Sequence, residues 1–137
     1  MDGELRRKFR EHLPMVQWST IETSQTEPGT PDLHGCYLGR DAWVEAKLTS
    51  GFAVHVKPTQ VVWHTLRDAA GGSSFFAVRR HKRFKFDELY LVEGRHAGRL
   101  KGVGLSGVPH LGMFPGGPAR WDWGRVLALL FAVSRGV

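Results

Sequence analysis

Leu5, Phe9 and Leu13 recur at every fourth position, with Arg6, Arg7, Lys8 and Arg10 between them. That spacing predicts an amphipathic helix over 3–13, stopped by Pro14. "MVQWSTIET", 15–23, reads as a strand or an extended lead-in. "SQTEPGTPD", 24–32, reads as a loop, because Ser, Thr, Pro and Gly dominate it. "LHGCYLG" predicts a short strand, "GRD" at 39–41 a turn, and "AWVEAKL" at 42–48 a second strand. "TSGFAVHV" predicts a turn and an irregular edge. In "KPTQVVWHTLRDAAGG" Pro58 suits a first helical turn and Gly71 and Gly72 a stop. Val62, Leu66 and Ala69 or Ala70 form the apolar stripe expected to face the core. Strands are predicted at 73–80 and 88–94, an irregular Gly- and Pro-rich loop at 94–120, and a last amphipathic helix at 121–133. The order of helix, strands, helix, two strands and helix implies an α/β or α+β fold, a central mixed sheet flanked by helices. One domain over residues 1–137 is expected.

Composition narrows the class. Hydrophobic residues make up 42% of the chain and charged residues 23%, enough apolar material for a real core. The longest apolar run, "VLALLFAV" at 126–133, is far short of the roughly 20 residues that span a bilayer. The charged start has no apolar signal core, so a cytoplasmic protein without a membrane role is expected. Cys36 is the lone cysteine, which excludes an internal disulfide and a multi-cysteine zinc site. The net charge of +6 points to a polyanionic partner, most often nucleic acid. Residues 79–101 concentrate it, with eight Lys or Arg against three Asp or Glu.

Strand 42–48 raises a chemical question. Side chains alternate, so Val44, Ala46 and Leu48 share one face, and Trp43, Glu45 and Lys47 the other. The first set is apolar and is expected to be core. The second set places a carboxylate and an ammonium on the face that need not be core. An isolated Glu-x-Lys pair is ordinarily a solvated ion pair of little consequence. Here Asp32 lies thirteen residues before Glu45, and a hairpin between them brings the two carboxylates together. Paired carboxylates repel unless a cation sits between them. Hard divalent ions such as Mg²⁺ take such oxygen ligands and keep several waters.

"PD" at 31–32 followed by "EAK" at 45–47 resembles the signature of the PD-(D/E)xK nucleases. "IETSQTEPGTPDLHGCY", "AWVEAKL", "KPTQVVWH" and "FFAVRR" follow one another as in the small virus-type members. Those are the VRR-type nucleases and the phage and archaeal Holliday junction resolvase-like enzymes. The resemblance covers 17–80, and "GGPARWDWGRVLALLF" is similar to the C-termini of phage-encoded members. It implies a restriction-endonuclease-like core, and a host-cytoplasm location if the protein is phage-encoded. It implies that Asp32, Glu45, the Ala46 carbonyl and Glu22 hold Mg²⁺, with Mn²⁺ substituting. Glu27 is the rival of Glu22. Lys47 would position the attacking water and stabilise phosphate charge, and Gln60 would hold Lys47 or the phosphate. Glu22, Asp32, Glu45, Lys47 and Gln60 would then be the catalytic set.

Backbone contacts to DNA are expected from Arg6, Arg7 and Arg10 on the first helix, from Lys57, and from Arg79, Arg80, Lys82 and Arg83. No base-reading signature accompanies them, so shape recognition is expected. The reading is a Mg²⁺-dependent endonuclease acting on branched DNA, of the Holliday junction resolvase type, working as a homodimer. The alternatives are a nicking, flap-cutting or restriction-like nuclease of the same superfamily, or a non-catalytic basic DNA-binding protein. His34 is a possible substrate contact. Trp63 is expected in the core and His64 as a surface or packing residue. Trp121 and Trp123 are expected to anchor the last helix.

Overall fold

The computed structural model describes residues 2–22 and 27–132. The end of the predicted lead-in at 23, the loop start at 24–26 and position 133 of the last predicted helix lie outside the described residues. The fold is α+β: a six-stranded mixed sheet with helices on both faces. Helix α1 (Asp2–His12) leads into β1 (Gln17–Thr20), β2 (Leu33–Tyr37) and β3 (Arg40–Thr49). Helix α2 (Pro58–Ala69) crosses over to β4 (Ser74–Lys82), which turns back into β5 (Phe86–Glu93). Helix α3 (Ala97–Val103), β6 (Gly112–Phe114) and α4 (Trp123–Phe131) complete it. The strands lie in chain order, and every pair is antiparallel except β3 with β4. The parallel pair requires the crossover that α2 supplies.

Two cores form, one on each side of the sheet. In the first, Leu5, Phe9 and Leu13 of the α1 region meet Leu33, Val44, Ala46, Phe75 and Ala77. Helix α4 closes that side with Val126, Leu130 and Phe131, and Asp122 caps it by accepting a hydrogen bond from the Arg125 N–H at 3.1 Å. In the second core, Phe76, Val78, Tyr90 and Val92 meet Val54, Val56, Ala97, Leu100 and Leu105. β4 is buried on both faces, which is why "FFAV" reads as a continuous apolar run. Trp121 is buried beside the start of α4 and Trp123 stacks on His12, so both anchor the last helix as expected.

Four expectations are corrected. The turn is Leu38–Gly39, both at positive φ (50° and 76°), so β3 starts at Arg40 and not after a turn at 39–41. Such a two-residue turn matches the twist of the flanking strands. Leu48 lies beyond the first core and is 41% exposed. The segment 94–120 is largely ordered: α3 and two short 3₁₀ turns roof the second core, and β6 extends the sheet. Finally, Val62 and Leu66 of α2 point outward, and Gln60 and His64 face the sheet instead. Among the described residues no helix is long and apolar enough to cross a membrane.

Candidate active site

The β2–β3 hairpin pairs Leu33 with Val44, and pairing stops there. Asp32 therefore lies opposite Glu45, at the level where β3 loses its antiparallel partner. Its carboxylate takes the place of a strand: Oδ1 accepts the Ala46 N–H at 3.1 Å. The N–H and C=O of a strand residue leave on the same edge, so the Ala46 carbonyl faces the same gap. Oδ2 accepts from the Arg6 guanidinium at 2.8 Å. Burial pushes the Asp32 carboxyl above its ordinary range, against the opposing pull of the Ala46 N–H and Arg6.

Glu45 and Lys47 share the other face of β3 from Val44 and Ala46, as the alternation requires. That face is not open. Helix α2 covers it, leaving Glu45 at 6% and Lys47 at 8% exposure. Gln60, in the first turn of α2, is the reason the helix turns a polar side inward. Its Oε1 accepts from Lys47 Nζ at 2.9 Å and from the Lys57 N–H at 2.9 Å. One carbonyl oxygen thus ties the buried ammonium to the helix N-terminus, whose first N–H groups otherwise lack partners.

One turn on, His64 is fully buried. Its Nδ1 lies 2.7 Å from the Ser74 hydroxyl, and its ring packs 4.3 Å from that of Phe76. Burial first, and the Lys47 charge second, lower its pKa from 6.5 to about 4, so the imidazole is neutral at physiological pH. Trp63 is only half-buried, with Arg67 stacked 4.6 Å over its ring. Trp63, expected in the core, thus lies at its edge, and of the two placements expected for His64 the structure shows the packing one.

Asp32, Glu45, Lys57 and Gln60 line a cavity of about 200 Å³ closed by the loop through Pro28, Gly29 and Thr30. Gly29 has φ of +92°, and a Cβ there would fall 2.1 Å from the Thr59 carbonyl oxygen. Only glycine lets this loop lie against the first turn of α2. Glu22 is exposed and does not line the cavity. The adjoining Ile21 N–H bonds to the Asp32 carbonyl at 2.9 Å, which brings that chain segment alongside. Glu27 borders a neighbouring apolar groove with Pro58, Val62 and Leu66.

The candidate phosphate contacts divide. Arg79 is 7% exposed, held by both oxygens of Asp87 at 2.8 and 2.7 Å and by Glu4 at 3.2 Å. Its charge is spent inside the fold. Arg80 is largely spent too, on Glu88 at 3.0 Å and between the rings of Phe52 and Phe86. Arg6 is tied to Asp32, Arg10 to the Thr20 hydroxyl, and Arg7 lies 3.7 Å from both Glu4 and Glu11. Lys57, Lys82 and Arg83 are exposed. His34 pairs with Asp41 at 3.1 Å and packs on Trp43. Sequence reasoning missed the Arg6–Asp32 contact and left open whether His64 is buried. The i, i+4 spacing of Gln60 and His64 was the available signal for the second.

The donor set suits a hard cation. Among the described residues no three His, Cys, Asp or Glu side chains converge, so a metal here would rest on two carboxylates, a backbone carbonyl and water. Mg²⁺ is held in just this way, because it gives up its waters reluctantly.

No protein-family model and no curated relative matches the sequence. Among solved structures, that of Archaeoglobus fulgidus Hjc, a Holliday junction resolvase from an archaeal hyperthermophile, is similar. The match covers 68% of this chain and 74% of that one, with a TM-score of 0.49 and 12% identity.

Proposed function

We propose that this protein is a divalent-metal-dependent endonuclease that hydrolyses phosphodiester bonds in branched DNA, in the manner of a Holliday junction resolvase. The observation that carries the reading is the burial of Glu45 and Lys47 under α2, with Asp32 and Glu45 lining one cavity and Lys47 bonded to its lining residue Gln60. Burying charge is expensive, and a structural role is met as well by apolar side chains. The adjacent strand shows the apolar solution on the same sheet face, with Phe76 level with Glu45 and Val78 level with Lys47. A fold that has Phe and Val available there and keeps Glu and Lys is supporting chemistry.

In this reading Asp32, Glu45 and the Ala46 carbonyl would hold Mg²⁺, or Mn²⁺ in its place, and Glu22 would complete the shell through water. The bound ion supplies Lewis acidity toward the phosphoryl oxygen. Lys47 lies with its ammonium fixed by Gln60, so it meets developing phosphate charge without first paying to reorganise. Lys57, at the mouth of the cavity, holds the neighbouring phosphate. Arg6 pulls the Asp32 carboxyl toward ionisation, against the larger effect of its burial.

The protein acts as a homodimer in this proposal, so that two sites cut two strands symmetrically. A panel of four-way junction, flap, nicked and linear duplex DNA with Mg²⁺, Mn²⁺ or chelator tests it. Paired cuts in the junction, with the linear duplex left intact, are expected. Equal cutting of all four substrates, or a monomer making paired cuts, overturns the resolvase reading.

A further inference from the structure

The β4–β5 hairpin ends in three residues, Arg83, Phe84 and Lys85, closed by a Lys85 N–H to Lys82 carbonyl hydrogen bond of 2.9 Å. At its tip Phe84 is 94% exposed, the most exposed of the large apolar residues described. Its φ is +65°, in the left-handed region that favours Gly or Asn and strains a bulky side chain. Among the described residues the ring belongs to neither core, and the Arg83 guanidinium lies 4.8 Å above it. Folding alone therefore favours another residue here on two counts, exposure and backbone.

The surroundings identify a partner. Lys82, Arg83 and Lys85 flank the ring, all exposed, and none forms an ion pair among the described residues. The acids nearest in sequence, Asp87 and Glu88, are committed to Arg79 and Arg80. An aromatic side chain amid unneutralised cations matches a polyanion with π-faces, which is nucleic acid.

The hairpin also has a defined relation to the cavity. β3 and β4 run parallel with Glu45 level with Phe76. The chain leaves β3 for α2, whose first turn lines the cavity, at the same end of the sheet from which the hairpin projects. Six residues from Phe76 to Lys82 carry the base of the turn about 20 Å past Glu45 at the usual strand rise, with Phe84 just beyond it. That is about six base pairs of duplex.

We propose that Phe84 is a wedge: Lys82, Arg83 and Lys85 hold the DNA backbone, and the Phe84 ring inserts at an unstacked base step about six base pairs from the scissile phosphate. The inference rests on the nuclease reading and sharpens its substrate to DNA with an openable step, such as a branch point.

The test places 2-aminopurine at successive positions around the branch of a four-way junction. Its fluorescence is followed on binding Asp32→Asn protein, alone and with Phe84→Gly or Phe84→Trp. Glycine relieves the backbone at this site, so that variant folds, and unchanged thermal unfolding verifies it. Asp32→Asn protein with its Phe84 ring intact is expected to brighten the probe at one step, five to seven base pairs from the cut mapped with active protein (roughly the span derived above). Phe84→Gly is expected to lose that signal and to bind the junction about tenfold or more weaker, while linear duplex binding stays the same. Phe84→Trp is expected to restore both. If Phe84→Gly keeps signal and affinity while the parent binds and cuts junctions, the wedge falls and the nuclease reading stands. If the parent neither binds nor cuts any DNA, both fall. Capture of anionic phosphatidylserine vesicles through Phe84, with no change in the probe, overturns the wedge in favour of a membrane surface.

Discussion

The Gln60 amide oxygen joins two tasks that a double-mutant cycle separates. Gln60→Leu keeps the side-chain bulk and removes the acceptor of both the Lys47 ammonium and the Lys57 N–H. A hydrogen bond to a buried charge is worth about 1.5–3 kcal/mol, and a lost helix cap costs about 1 kcal/mol. Leucine recovers part of this by burying apolar surface, leaving a net loss of about 2–3 kcal/mol. For a chain of 137 residues that lowers the unfolding midpoint by roughly 7–10 °C. In a Lys47→Met background the charge is gone, and Gln60→Leu should cost only the cap, about 1 kcal/mol. Urea unfolding of the four proteins measures the coupling, expected near 1.5 kcal/mol. Additivity within the roughly 0.5 kcal/mol found for independent sites would refute the account of why α2 turns a polar face inward.

Three further predictions follow from individual groups. His64 has a folded pKa of about 4 against 6.5 when free, so the unfolded chain binds the extra proton. Its contribution is whole above pH 6.5 and lost as pH falls toward 4, about 3 kcal/mol in total, and His64→Gln should flatten that slope in a pH series of unfolding curves. Asp32, raised by burial, adds a slope of the opposite sign above its ordinary pKa, which is common to both proteins and cancels in the difference. Arg79→Ala should cost about 3–5 kcal/mol by leaving Asp87 without its bidentate partner, whereas Arg83→Ala should leave unfolding unchanged and weaken DNA binding with a shallower salt dependence. Glu22→Gln should raise the Mg²⁺ concentration needed for half-maximal cleavage, and Glu27→Gln should not; the reverse result assigns the extra acidic role to Glu27.

The parts of this structure legible in the sequence were those governed by local periodicity. Leu5, Phe9 and Leu13 at a spacing of four sufficed for α1, because one apolar face met one core. Strand alternation separated Glu45 and Lys47 from Val44 and Ala46, and the short hairpin placed Asp32 opposite Glu45. The orientation of α2 was not legible, since the stripe of Val62 and Leu66 argues for the opposite face. What turns the helix is tertiary: Lys47 and Ser74 wait on the sheet for Gln60 and His64. Helix α3 has seven residues, two of them glycine, too few to show a period; its place comes from Ala97 and Leu100 entering the second core. Arg79 looked like a surface cation because nothing local marks Asp87, on the neighbouring strand, as its partner.

The central claim is that Asp32 and Glu45 form a cation site for phosphodiester hydrolysis. Its most direct test compares parent, Asp32→Asn and Glu45→Gln proteins on a labelled four-way junction with Mg²⁺ and with chelator, scoring binding and cleavage separately. Cleavage is expected by the parent in Mg²⁺ alone, and by neither variant, with junction binding kept in all three. Cleavage by either variant at the parent rate, or by the parent in chelator, contradicts it.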